Sequence, residues 1–349
     1  MGARPLPIAP AHARVPSRPV DAAARMAAEE RQGQLLKPPG ALGRLEALAI
    51  WLAGCTGDPR PSVRARVVVA AADHGVAFEE GVSAYPPAVT GQMLAALRGG
   101  QAAIGALARE ADVELRVVDA GVRGEGGDFA PSANLAREPA LSVEATARAV
   151  DLGRALAAEA AADGITVLAG GEMGIGNTTP ATCLAAWLTG RPAAELVGPG
   201  TGLDAGGLAR KAAVVERALA LHGPELHGPL GALRRLGGGE IAVLCGLALG
   251  AGEQGLAYVC DGLIATAAAA VAAQLEPDLR PRLLAGHRSP EPGHAALLEH
   301  LALDPVLDLG MRLGEGSGAV AAVSVLRLAC AAHDGMATFS EAGVAGPTD

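Results

Sequence analysis

The chain has 349 residues, enough for one large or two modest domains around a sizeable core. A formal net charge of -9 and an aromatic content of 2% argue against nucleic acid or a membrane as the main partner, because an acidic surface repels phosphates and base-stacking platforms are scarce. Half of the chain is hydrophobic, with 48 Gly and 24 Pro, and much of the apolar fraction is Ala, so helices can approach closely.

The first twenty residues carry Pro and Arg without an apolar stretch, so no secretory signal is expected. Helices are predicted at 21–36, stopped by Pro38 and Pro39, and at 41–54, with Leu42, Leu45, Leu48, Ala49 and Leu52 on one face. From Val67 the pattern changes to short continuous apolar runs, each ending in a polar, Gly-containing turn. They are Val67–Ala72 before Asp73-His74-Gly75, Leu115–Val118 before Asp119, Ile165–Leu168 before Gly170-Gly171-Glu172, Leu256–Cys260 before Asp261, Leu283–Ala285 before Gly286-His287-Arg288, and Val306–Leu309 before Gly310. Helical stretches at about 90–111, 142–162, 178–189, 205–222, 262–274, 291–302 and 317–333 separate them. Alternation of buried strand, Gly-rich turn and helix predicts an α/β fold: a Rossmann-like, three-layer parallel sheet flanked by helices. The helices at the two chain ends have no strand of their own. They predict a smaller helical domain, 1–60 with 316–349, beside an α/β nucleotide- and base-binding domain at 61–315.

The longest apolar run, Leu263–Leu275, falls short of the roughly 18 residues of a spanning helix. The five cysteines, Cys55, Cys183, Cys245, Cys260 and Cys330, lack CxxC spacing and sit in apolar stretches, as small buried side chains of a reducing compartment do. A cytoplasmic location is the expectation. His74, His287, His294 and His300 lack zinc-site spacing, so no metal is expected.

In open parallel sheets ligands bind beyond the carboxyl ends of the strands, where these polar clusters fall. Gly171-Glu172-Met173-Gly174-Ile175-Gly176-Asn177-Thr178-Thr179 follows a strand and opens a helix, which suits an anion. Asn177 stands where a P-loop requires lysine, and Thr179 stands where GxGxxG requires its third glycine, so a single phosphate is the better fit; a purely structural turn is the alternative. In Gly314-Glu315-Gly316-Ser317-Gly318 a carboxylate sits close to backbone at a strand-to-helix turn, a setting that raises its pKa toward that of a general base, against a solvated turn. His74 is a candidate ligand or acid–base group, with a structural role the commoner outcome. Lys211 is one of only two lysines in the chain, and it follows Gly200-Thr201-Gly202 and the N-cap Asp204. It is a candidate phosphate partner or part of a solvated helix face.

Taken in order, these motifs resemble one family. They are joined by Lys37-Pro38-Pro39-Gly40-Ala41-Leu42-Gly43-Arg44-Leu45-Glu46, by Glu80-Gly81-Val82-Ser83-Ala84-Tyr85-Pro86 with Val89-Thr90-Gly91-Gln92-Met93, by Gly286-His287-Arg288-Ser289, by Asp308-Leu309-Gly310-Met311-Arg312-Leu313, and by Met336-Ala337-Thr338-Phe339. The set, spanning about residues 35–345, is similar to the nicotinate-nucleotide:dimethylbenzimidazole phosphoribosyltransferases of cobalamin assembly. Ala41 departs from the Ser common there, without catalytic consequence expected. The resemblance implies a homodimer, with Glu315 as catalytic base. It implies a base pocket near Ser83, Tyr85, Gln92, Met311 and Leu313. It implies a nucleotide and phosphate site near Glu172, Gly174, Gly176, Asn177, Thr178, Gly202, Lys211 and Ser289. The donor would be nicotinate mononucleotide and the acceptor 5,6-dimethylbenzimidazole, with inversion at the sugar, no cofactor, and Glu172 or Glu315 stabilising the oxocarbenium-like sugar. Other readings are transfer to adenine or a phenol, a nucleotide-dependent oxidoreductase (opposed by the failed GxGxxG) and a non-catalytic nucleotide sensor.

Overall fold

A computed structural model describes residues 15–200 and 202–345. Thr201 and most of the segment inspected for a signal lie outside the described residues. Five strands, β1 Ala65–Ala71, β2 Glu114–Asp119, β3 Val167–Met173, β4 Ala257–Cys260 and β5 Leu283–Ala285, form one parallel sheet in the order β2-β1-β3-β4-β5. The helices are α1 Ala22–Gln34, α2 Arg44–Thr56, α3 Gly75–Glu79, α4 Val89–Arg98, α5 Ala103–Glu110, α6 Val143–Ala162, α7 Thr178–Thr189, α8 Ala193–Leu196, α9 Ala205–His222, α10 Gly228–Leu236, α11 Gly239–Gln254, α12 Leu263–Leu275, α13 Pro292–Leu301 and α14 Ser317–Gly335.

β1 and β4 are buried along their whole length, because helices cover both faces of the sheet. Side-chain alternation sorts the core into two layers. Val68, Ala70, Leu168 and Tyr258 face α6, α7 and α10–α13, while Val67, Val69, Val167, Ala169 and Val259 face α2, α5 and α14. Each fully buried Val or Leu contributes about 1.5–3 kcal/mol. The expected three layers are present. The end helices also meet: Leu35 bridges Thr338, and Gln32 Nε2 lies 2.8 Å from His333 Nδ1. α2 and α14 share their apolar side chains with the sheet's second face.

Three local expectations need correction. Val306–Leu309 is not a strand. Leu307 makes a single parallel bridge with His287, because Pro305 precedes the run and exposed Asp308, Leu309 and Gly310 follow it. The helix expected at 90–111 breaks at Gly99-Gly100 into α4 and α5. The segment 223–255, in which no element was expected, contains α10 and α11. Residues Gly239–Gly252 of α11 are all buried, so the helix has no polar stripe to betray its period.

The order 2-1-3-4-5 is a common doubly wound arrangement, in which the chain winds to one side from β1 and to the other from β3. The switch point, beyond which such sheets bind ligands, falls between Asp73-His74 after β1 and Glu172 near the end of β3.

Candidate active site

Two groups of side chains lie at these strand ends, one of acids and one built around a lysine. The first is a set of four buried carboxyl groups. Glu172 projects from β3, Asp261 follows β4, Glu240 lies in the first turn of α11, and Glu315 precedes α14. Parallel pairing puts Ala70 opposite Glu172 and Cys260 opposite Gly170, so three strand ends converge here.

Glu315 is held by an unusual backbone. Gly314, Glu315 and Gly316 have φ of 85°, 61° and 82°. Left-handed geometry is free for the two glycines and costs a residue with a Cβ about 1–2 kcal/mol, so the strain falls on the glutamate. Its backbone N–H donates to the Glu172 carbonyl at 3.2 Å, and its Oε2 accepts from the Ile104 N–H at the start of α5, also at 3.2 Å. Oε1 has no hydrogen-bond partner among the described residues. The turn comes so close to β3 that a Cβ on Gly171 would stand 2.6 Å from the Glu315 carbonyl carbon. The residue is 3% exposed. Burial raises its carboxyl above the usual carboxylate range, the Ile104 N–H opposes this, and the Asp261 charge adds to it.

Glu172 is more strongly shifted, to about 8. Burial is the main cause, the Asn177 amide opposes it, and the charges of Glu240, Asp261 and Glu315 reinforce it. The Asn177 side-chain amide donates to Glu172 Oε2. At neutral pH Glu172 is therefore mostly the neutral acid. Asp261 caps α14, Oδ2 accepting from the Gly316 N–H at 3.2 Å and Oδ1 from the Ala319 N–H at 3.0 Å, with His287 Nε2 3.7 Å from Oδ1. Burial still raises its carboxyl against these contacts.

His74 is wholly buried, and its part is internal. Ser132 Oγ lies 3.2 Å from both the Asp73 carbonyl oxygen and His74 Nδ1, and His74 Nε2 lies 2.8 Å from Glu240 Oε1. Glu240 Oε2 is buried without a hydrogen-bond partner. Gly174 lies between the two arrangements; a Cβ there would be 3.2 Å from both the Asn177 amide and the His74 ring.

The second group is cationic. Lys211, on α9, is fully buried; its Nζ donates to Thr178 Oγ1 at 2.8 Å and to the Gly198 carbonyl at 3.1 Å. Burial lowers its pKa to about 8, and the Glu291 carboxylate opposes the shift. Asp204 caps α9 as expected, accepting from the Gly207 N–H at 2.8 Å. Glu291 Oε1 accepts from the Gly200 N–H at 2.9 Å, and the Glu291 N–H donates to Ser289 Oγ at 3.4 Å. Thr178, Lys211, Gly200 and Ser289 thus gather near the start of α7, where a helix N-terminus and a buried ammonium suit a phosphate.

The loops expected to hold a base form the rim. Val82 packs at Gly176, and Arg210 Nε donates to the Gly81 carbonyl at 3.4 Å, so the Ser83–Tyr85 loop borders the nucleotide loop. Arg312 Nη1 donates to the Gly200 carbonyl at 3.3 Å, which draws Met311 and Leu313 to the other side. Tyr85 and Leu313 are 52% and 57% exposed, and Gln92 on α4 is exposed as well. Gly202 is not brought into the Lys211 group: it is exposed, and a Cβ there would meet nothing within 4 Å.

Glu240 and Glu291 were missed by sequence reading. The run Gly237-Gly238-Gly239 directly before Glu240 was the available signal for the first. Among the described residues no cluster of three or more His, Cys, Asp or Glu is arranged for a metal ion, and no helix is long and apolar enough to cross a membrane. A separate cleft of about 380 Å³ lies at the opposite, amino ends of β3 and β4. Buried Arg282 lines it, donating to the carbonyls of Arg18, Pro19 and Cys55.

A phosphoribosyltransferase family model matches residues 17–344. The nicotinate-nucleotide–dimethylbenzimidazole phosphoribosyltransferase of Ectopseudomonas mendocina is 52% identical over 340 residues, covering 95% of this chain and 97% of that one. The protein of the same name from Azotobacter vinelandii is 52% identical over 345 residues, covering 94% and 96%. The crystal structure of CobT from Thermus thermophilus superposes with a TM-score of 0.89 at 47% identity, covering 93% of this chain and all of that one. The chain belongs to the family of nicotinate-nucleotide–dimethylbenzimidazole phosphoribosyltransferases.

Proposed function

We propose that the crevice transfers the 5-phosphoribosyl group of nicotinate mononucleotide to a ring nitrogen of 5,6-dimethylbenzimidazole, giving α-ribazole 5′-phosphate and nicotinate. The observation that carries the reading is Glu315: a buried carboxyl group, fixed by a strained turn, with one oxygen engaged and the other without a hydrogen-bond partner among the described residues. Nicotinate is bound to the sugar through a positively charged ring nitrogen, so it departs without needing a proton. The anomeric carbon gains cationic character as that bond stretches, and the surrounding acids favour that charge. The attacking benzimidazole forms its new bond through one nitrogen and loses a proton from the other, which Glu315 accepts. Attack from the face opposite nicotinate inverts the carbon. Lys211, Thr178, Ser289 and the N-terminus of α7 hold the phosphate. Ser83, Tyr85, Gln92, Met311 and Leu313 flank the base. Glu172, neutral and donated to by Asn177, keeps the floor of the crevice from accumulating a further negative charge.

We also propose a cytoplasmic homodimer, with the helices of the two chain ends serving as the smaller domain. The acidic surface and the buried, unpaired cysteines support the location, and sedimentation would test the dimer. The decisive assay incubates the protein with nicotinate mononucleotide and dimethylbenzimidazole and seeks α-ribazole 5′-phosphate by mass. Absence of that product, or prompt transfer to adenine or a phenol in preference to the benzimidazole, would refute the assignment.

A further inference from the structure

His294 stands behind the anion pocket. It is wholly buried on α13, and both ring nitrogens are engaged. Nδ1 accepts from the Ser289 backbone N–H at 3.0 Å. An amide only donates, so Nδ1 carries no proton and Nε2 does. Nε2–H then donates to Thr266 Oγ1, on α12, at 3.1 Å. Burial pushes the imidazole down to about 3, with the charges of His287 and Arg288 acting in the same direction. The ring is neutral, of one tautomer, and has no proton to trade.

Such a ring acts as a bracket. One nitrogen grips α12, which packs in the core, and the other grips the loop that carries Ser289 and Glu291. Glu291 in turn holds the Gly200 N–H at 2.9 Å and lends its charge to Lys211. Loss of the bracket leaves the Ser289 N–H orphaned in a buried setting. The loop must then move to find a partner, and it takes Ser289 and Glu291 with it.

We infer that His294 is a positioning residue for the donor's phosphate: it fixes the loop that presents Ser289 and Glu291 beside Lys211, and so governs affinity for the phosphorylated donor without acting on the base. This rests on the mononucleotide reading of the site. A residue that merely stabilised the fold would affect phosphorylated and unphosphorylated donors alike, and that difference provides the test.

Calorimetry on the full chain would compare nicotinate mononucleotide with nicotinate riboside, which lacks the phosphate. His294→Leu is expected to weaken mononucleotide binding roughly tenfold, to leave riboside affinity and the KM for the base unchanged, and to retain the cooperative thermal transition. His294→Asn places a carbonyl oxygen near the position of Nδ1 and is expected to recover most of the loss. A folded His294→Leu protein with undiminished mononucleotide affinity, or with equal losses for both donors, would overturn the inference. Should that variant not fold, Thr266→Val, which releases the far side of the ring, is expected to show a smaller loss confined to the mononucleotide; equal or no losses there would also overturn it. Failure of the unmodified protein to bind the mononucleotide would instead refute the donor assignment underneath.

Discussion

Glu172 and Lys211 occupy the same crevice and are both removed from water, yet burial acts on them in opposite senses. The Glu172 carboxyl rises to about 8, and the Lys211 ammonium falls to about 8. Dehydration penalises whichever form is charged, so each group is pushed toward neutrality. The proposed donor carries a phosphate at one end, which would give the buried Lys211 the counter-charge that favours its ammonium.

The largest effect that would separate the acidic half of the site from the lysine half is on turnover. Glu315→Gln is expected to lower kcat by roughly 10²–10⁴-fold while leaving mononucleotide affinity intact, because the base belongs to the acidic half alone. Steady-state kinetics with calorimetry would show this, and near-normal turnover would discard the base. On the cationic half, Lys211→Met is expected to weaken mononucleotide binding on the order of a hundredfold, the usual penalty of leaving one charge of a buried pair without its partner. Equal effects of the two substitutions on binding would erase the proposed division.

Stability against pH sharpens the contrast. The folded state holds the Glu172 proton more tightly than the unfolded chain does. The stability this contributes is present at low pH and is lost as pH rises from about 4.5 through about 8. Glu172→Gln removes that slope and is expected to gain on the parent above pH 8, by up to a few kcal/mol. Lys211 behaves inversely. The folded state resists its proton, so its penalty grows as pH falls from about 10.5 through about 8, and Lys211→Met removes it. Urea unfolding from pH 5 to 10 would reveal opposite slopes; parallel slopes would contradict the account. The smallest effect belongs to the rim. Leu313→Ser exposes less apolar surface to the base and is expected to raise its KM several-fold, about 1 kcal/mol, with kcat and donor affinity unchanged.

Much of this was readable in the chain. Glu172 and Glu315 each stand among glycines at a strand end, which is a local pattern, and Lys211 stands out in a chain whose cations are nearly all arginine. What escaped reading depends on burial from every side or on distant partners. Glu240 rides on α11, whose buried residues lack a polar face, so neither the helix nor its acid had a periodic signal. The link from His294 to Thr266 and Ser289 joins α12, α13 and an intervening loop, and no spacing rule announces it. Val306–Leu309 has the composition of a strand but lacks the length, and only the short β5 beside it explains why pairing stops at one bridge.

The position of α14 in the chain bears on how the protein is made. This helix supplies Ala319, Val320, Val323 and Leu326 to the second face of the sheet, and it follows every other helix of the described residues in the chain. While the ribosome still holds residues 317–335, Val67, Val69 and Val167 have no finished cover, and the nascent sheet presents an oily flank to chaperones and to other chains. Completion of the Gly314-Glu315-Gly316 turn and sealing of that flank therefore coincide, so translation that halts before α14 is expected to yield a fragment with an open apolar flank.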